Sequence, residues 1–224
     1  MALMGNKSQA AAAAHRAVPA DLVLDRRSLN LPNLITMSRL ALAFVLFGMI
    51  YLRGYWISAA ALFVFAASTD FLDGWIARRY GQITVLGRIL DPFVDKIIIA
   101  GAFIFLLDKK VNIETREIWS GVNAWMVIIV IGREMFVTSL RGFLEQQGHD
   151  FSASLSGKLK MFSQSVAVTA SLLSLSPDVI RWWPAFPFYR DILLWTMVAI
   201  TLWSGLVYVQ RAVQLLRPRS RERY

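Results

Sequence analysis

The chain has no cysteine, only two histidines and few charges for its length, and each shortage removes a class of function. Without cysteine there are no disulfides, no thiolate-ligated zinc and no thiol nucleophile. His15 and His149 are the whole histidine set, so a metal centre has to rest on oxygen ligands, which suit hard divalent ions such as Mg²⁺ or Mn²⁺. Charged residues make up only 17% of the 224 positions and hydrophobic ones 56%, a balance that a soluble domain of this size rarely has. The first 30 residues hold no apolar run long enough for a signal-peptide core, and no internal repeat or inverted symmetry of the transporter kind is visible.

Apolar length is what the chain has instead. Mean hydropathy is +0.49, and several runs reach the roughly 18 to 25 residues that cross a bilayer as helix, which predicts an all-α integral membrane protein rather than a β-barrel. Six spans are expected, at about Pro32–Leu52, Tyr55–Arg79, Gly87–Leu107, Ile118–Arg141, Gly157–Leu175 and Asp191–Leu216. Asn30 is a candidate N-cap for the first, with Pro32 in its first turn, and Arg53-Gly54 makes a tight turn after it. One domain, residues 31–216, carries all six spans. Residues 1–30 form a polar, partly disordered or surface-lying lead-in, and 217–224 a basic tail.

An even number of spans puts both termini on one side. Fifteen Lys and Arg residues lie near span ends on that side, against six on the other: Arg53, Lys109, Lys110, Arg116, Arg181 and Arg190. Positive charge gathers on the cytoplasmic side, so both termini are expected there, in a bacterial inner membrane. Tyr55, Trp56, Trp119, Trp182, Trp183 and Tyr189 fit an interfacial belt on the far side. The net charge of +9 is accounted for by orientation and attraction to anionic lipids, and no nucleic-acid partner is expected.

Asp70 is the first costly feature. It lies about 14 Å from the cytoplasmic end of span two, and an Asp near the centre of a membrane helix costs about 2.5–3.5 kcal/mol, so it is expected to face the bundle interior and mark a site. At about 100° per residue, Asp70, Asp73, Gly74, Ala77 and Arg78 share one helical face, while Gly87, Asp91 and Asp95 step by four along a narrower stripe of span three. Facing stripes bring four carboxylates together, and these repel one another unless a cation lies between them. Gly74, Ala77 and Gly87 leave room for a bulky ligand, and Arg78 is suited to a phosphate oxygen.

The run Asp70-Phe-Leu-Asp73-Gly74-Trp-Ile-Ala77-Arg78, then Gly87, Asp91 and Asp95, resembles the motif of the CDP-alcohol phosphatidyltransferase family, D-x2-D-G-x2-A-R-x8-G-x3-D-x3-D, at every fixed position. Surrounding segments resemble its phosphatidylglycerophosphate synthase branch: Leu31-Pro-Asn-Leu-Ile-Thr-Met-Ser-Arg39, Asp91-Pro-Phe-Val-Asp-Lys96, Gly132-Arg-Glu-Met-Phe-Val-Thr-Ser-Leu-Arg141 and Gly157-Lys-Leu-Lys160. The resemblance covers about residues 29–172. It implies the six-helix CDP-alcohol phosphotransferase fold, usually a homodimer, with two divalent cations near the cytoplasmic face. It also implies Asp70, Asp73, Asp91 and Asp95 as metal ligands, Asp95 in addition as general base, and Gly74, Arg78, Thr84 and Gly87, with Ala77 between them, lining the CDP pocket. The implied reaction joins CDP-diacylglycerol and glycerol 3-phosphate, with release of CMP. Serine, inositol 1-phosphate or phosphatidylglycerol are alternative acceptors. A cation channel or transporter is the alternative of another class, and it leaves Gly74, Ala77, Arg78 and Gly87 unexplained.

A phosphate-bearing acceptor needs cations, and Arg133, Arg141, Lys158 and Lys160 stand near the cytoplasmic ends of spans four and five. Arg133, within an apolar run, is the most informative, although Glu134 can serve as a purely structural partner. Ordinary snorkelling competes for Arg141, Lys158 and Lys160. Asn33, Thr36 and Arg39 form a polar line in span one, read as either substrate cavity or interhelical hydrogen bonding. Asp91-Pro92 alone also reads as an N-cap with Pro at N1, Thr84 as a cap of span three, Arg79 as an orienting charge and His149 as a solvated loop residue.

Overall fold

The computed structural model describes residues 31–80, 85–107, 109–113, 116–147 and 155–216. The lead-in 1–30 with Asn30, the tail 217–224, Thr84 and His149 lie outside them. In chain order the elements are α1 (Leu31–Leu52), α2 (Trp56–Tyr80), α3 (Val85–Leu106), β1 (Lys110–Ile113), β2 (Arg116–Trp119), α4 (Ala124–Gln146), α5 (Leu155–Ser174), α6 (Pro177–Trp182) and α7 (Phe186–Leu216). The fold is helical, as expected. The shortest of the six long helices, the 20-residue α5, measures about 30 Å.

Local chemistry explains where the boundaries differ from expectation. Lys110–Ile113 and Arg116–Trp119 pair antiparallel with Lys110 opposite Trp119, where a loop and the start of span four were expected. The fourth long helix begins instead at Ala124, because the Asn123 side chain accepts a hydrogen bond from the Met126 amide at 3.1 Å and caps it. The last helix begins at Phe186 rather than Asp191, with Pro187 in its first turn. Asp91-Pro92 does not open a helix: α3 starts at Val85, and Pro92 lies well inside it. Arg53 and Gly54 take positive φ, 61° and 97°, which turns the chain sharply between α1 and α2.

The core runs through α1, α2, α3, α4, α5 and α7. Ala43, Leu46, Ile50, Phe63, Val94, Phe103, Leu172 and Leu194 are all buried in it. Trp56 joins them at 3% exposure, correcting its assignment to the interfacial belt; as the first residue of α2 it turns inward. Tyr55, Trp119, Trp182, Trp183 and Tyr189 are exposed, as a belt requires. Gly101 of α3 lets α1 come close: a Cβ built there would lie 2.1 Å from Cζ of Phe47, whose ring stacks on Phe105 at 5.0 Å. Overpacking of this kind costs about 1–3 kcal/mol, against roughly 1 kcal/mol of helix propensity gained. Gly101→Ala should therefore lower the unfolding temperature in detergent, and Phe47→Leu in the same chain should restore most of it; an unchanged melting curve for the single variant would rule out this packing.

Large apolar side chains such as Phe44, Trp125, Phe162, Trp195 and Leu206 face outward, whereas Asn33, Thr36, Arg39, Lys160, Gln164 and Ser204 are buried. That distribution suits a lipid-facing surface. Two described stretches, Asn33–Leu52 and Phe186–Leu216, are long and apolar enough by themselves to cross a membrane, and Trp56–Thr69 is a shorter apolar helix. The other long helices carry charged residues within their length, such as Asp70 and Asp73 in α2 and Asp91 and Asp95 in α3.

Side-chain contacts define the two ends of the bundle. At one end Ser120 Oγ donates to the Leu106 carbonyl at 2.7 Å, and Lys109 lies over the Tyr51 ring. The Arg190 guanidinium donates to Asp191 Oδ1, to the Trp119 carbonyl and to Ser174 Oγ. Arg190, counted in the sequence only as one of six basic residues on the far side, is a buried staple joining α5, α7 and β2. The C-terminal ends of α3 and α5 and the start of α7 thus meet here. The first halves of α3 and α5 and the last half of α7 therefore share the other end.

Candidate active site

At that other end the buried stripe of α1 changes character. Ala43, Leu46 and Ile50 give way to Asn33, Thr36 and Arg39, each at most 3% exposed. Spaced three apart, these residues stay on one helical face. Two of them reach α3: Thr36 Oγ1 donates to Asp91 Oδ1 at 2.6 Å, and Arg39 Nη2 donates to Asp95 Oδ1 at 2.5 Å in an ion pair. Charge-assisted bonds of this kind hold a carboxylate in one orientation and are worth about 1.5–3 kcal/mol each. Gly87, one turn before Asp91, is buried.

The backbone of α2 is helical through Asp70, Asp73, Gly74, Ala77 and Arg78 to Tyr80. Helical spacing puts these positions on the continuation of the buried stripe Trp56, Ala59, Phe63, Ala66. Their side chains lie outside the described residues, as does Thr84. Among the described residues no group of three or more acidic or histidine ligands forms. The part that is described suits a hard cation: Asp91 and Asp95 are oxygen donors one turn apart, and Thr36 takes only one oxygen of Asp91.

A second polar cluster occupies the same half of the bundle. Arg133 on α4 donates to Glu134 Oε1 at 3.1 Å and to Ser204 Oγ on α7 at 2.6 Å. Lys160 on α5, 5% exposed, donates to the same Glu134 oxygen. Arg141 donates to the Tyr208 hydroxyl at 3.3 Å, and the Tyr208 ring lies beneath both guanidiniums, 5.3 Å from Arg133 and 5.9 Å from Arg141. Arg133 and Lys160 thus share one carboxylate, Arg141 is held by a neutral hydroxyl, and among the described residues the buried Nε atoms of Arg133 and Arg141 have no hydrogen-bond partner. Buried donors and surplus positive charge are costly unless a ligand meets them. Lys158 is exposed on α5 and stands apart from this cluster.

Three contributors escaped the sequence reading: Ser204, Tyr208 and Gln164, the last buried one turn beyond Lys160 with its Nε2 unpartnered among the described residues. A signal did exist. Thr201, Ser204 and Tyr208 recur at helical spacing in an otherwise apolar segment.

Comparison with known proteins gives these two clusters a context. The model of the family described as CDP-alcohol phosphatidyltransferase matches residues 29–203. The chain belongs to that family. Among its relatives, the CDP-diacylglycerol–glycerol-3-phosphate 3-phosphatidyltransferase of Bacillus subtilis is 34% identical over 203 residues, covering 84% of this chain and 97% of that protein. The enzyme of the same name from Pseudomonas fluorescens is 32% identical over 199 residues, 87% of this chain and 95% of that protein. A cardiolipin synthase (CMP-forming) of Oryza sativa is 29% identical over 194 residues, 84% of this chain and 59% of its own. As a CDP-alcohol phosphatidyltransferase the chain is a membrane enzyme of phospholipid synthesis, in a family whose chemistry depends on divalent metal.

Proposed function

We propose that this protein transfers the phosphatidyl group of CDP-diacylglycerol to the 1-hydroxyl of glycerol 3-phosphate, forming phosphatidylglycerophosphate and releasing CMP. The observation that carries this reading is the surplus of positive charge among the described residues: Arg133 and Lys160 share the single carboxylate of Glu134, Arg141 is held only by Tyr208, and two buried guanidinium Nε donors are left over. A phosphate dianion matches that surplus charge, and glycerol 3-phosphate brings one. The bacterial relatives named for the same reaction support it.

Asp70, Asp73, Asp91 and Asp95 would hold two divalent cations, Mg²⁺ or Mn²⁺. Bound there, the ions would supply charge neutralisation along the pyrophosphate of the donor. Thr36 orients Asp91 and Arg39 orients Asp95. Asp95 accepts the proton of the acceptor 1-hydroxyl as its oxygen attacks the phosphatidyl phosphorus and CMP leaves. Gly74, Ala77, Arg78, Thr84 and Gly87 line the CDP pocket, with Asn33 beside them, and Lys158 attracts the acceptor from the surface. The six long helices span a bacterial inner membrane with both termini and the active site toward the cytoplasm. The protein works as a homodimer among anionic lipids.

The test is CMP release by the purified protein in lipid nanodiscs. Release is expected only with both Mg²⁺ or Mn²⁺ and glycerol 3-phosphate. Serine, inositol 1-phosphate and phosphatidylglycerol serve as the acceptor panel, and a preference for serine would overturn the role given to Arg133 and its neighbours.

A further inference from the structure

The cations of the second cluster are held in an unusual way. At the far end of the bundle Arg190 is gripped by the carboxylate of Asp191, which cancels its charge. Arg133 shares the one Glu134 carboxylate with Lys160, which leaves the pair of cations only half neutralised, and Arg133 and Arg141 are also gripped by neutral oxygens of α7: Ser204 Oγ and the Tyr208 hydroxyl, on residues 0% and 2% exposed. A neutral acceptor fixes a guanidinium without neutralising it. The Tyr208 ring adds a second restraint, because its face attracts both cations, which otherwise repel each other. Ser204 and Tyr208 are one helical turn apart, so a single face of α7 sets the spacing of the two guanidiniums.

We propose that Ser204 and Tyr208 are positioning residues that preset Arg133 and Arg141 for an acceptor phosphate, and that they thereby select phosphorylated acceptors. This rests on the reading of Arg133 and Arg141 as the acceptor-phosphate site. Full-length protein in nanodiscs, carrying Tyr208→Phe, Tyr208→Leu or Ser204→Ala, tests it through separate KM values for glycerol 3-phosphate and CDP-diacylglycerol. Tyr208→Leu should raise the KM for glycerol 3-phosphate about tenfold and leave that for CDP-diacylglycerol unchanged. Tyr208→Phe keeps the ring and the fold but loses the hydroxyl, so a rise of about threefold in the same KM alone is expected. Ser204→Ala should resemble it. Arg133→Gln separates the two levels: if it leaves the KM for glycerol 3-phosphate unchanged, the phosphate-site reading fails, and this proposal with it. If Arg133→Gln raises that KM while the Tyr208 and Ser204 variants do not, only the positioning role fails. Equal changes in both KM values with a lowered melting temperature would also overturn it, since that is the mark of a purely structural contact.

Discussion

Asp95→Asn will lower kcat by at least about a thousandfold, within the range that removal of a general base produces, while CDP-diacylglycerol still binds. The amide has nearly the shape of the carboxylate and its oxygen can still accept from Arg39, so the bundle should keep its packing. What it loses is the ability to take a proton from the acceptor hydroxyl. It also takes one negative charge away from the Arg39 guanidinium, which is 2% exposed. Removing one partner of a buried pair costs up to about 3–5 kcal/mol, but Asp95 is 24% exposed and the hydrogen bond survives, so the stability loss should fall below that range. CMP release and calorimetric binding of CDP-diacylglycerol, measured side by side, separate the two effects. A variant turning over at a near-normal rate would exclude Asp95 as the base.

The second large effect concerns metal. Asp91→Ala removes an oxygen donor outright, and divalent-ion affinity should fall by more than the roughly 10- to 100-fold typical of losing an outer partner of a ligand. Thr36→Val, which removes only the hydroxyl on Asp91 Oδ1, should fall within that 10- to 100-fold range. Asp70→Ala and Asp73→Ala should behave like Asp91→Ala. Mn²⁺ titration followed by electron paramagnetic resonance reads binding without relying on turnover. If Asp91→Ala titrates like the parent protein, the carboxylates are not the metal ligands.

These residues also mark how far sequence reasoning reached. The helices and the polar stripe of α1 were legible because periodicity is local: Thr36 and Arg39 sit three apart, and Asp91 and Asp95 four apart, whatever the rest of the chain does. The start of α4 was misplaced because its apolar flank continues into residues that pair as a hairpin, and only the Asn123 cap separates the two. Trp56 was misassigned because its place at the start of a span does not reveal which way the first turn faces. The burial of Arg190 was not foreseen because a basic residue beside a span reads the same whether it meets water or a carboxylate.

By itself the sequence determined that this is a helical membrane protein with a row of carboxylates on two successive helices, and it carried the family motif that names the donor chemistry. Those facts follow from residue type and from spacings of three and four, which a helix converts directly into faces. Only the tertiary structure decided which side chains meet. Thr36 and Arg39 find carboxylates 55 and 56 positions away, and Arg133 and Arg141 find Ser204 and Tyr208 at separations of 71 and 67. The physical reason is that such pairs depend on how whole helices cross and rotate against one another, a property of the assembled bundle that no local stretch of sequence contains.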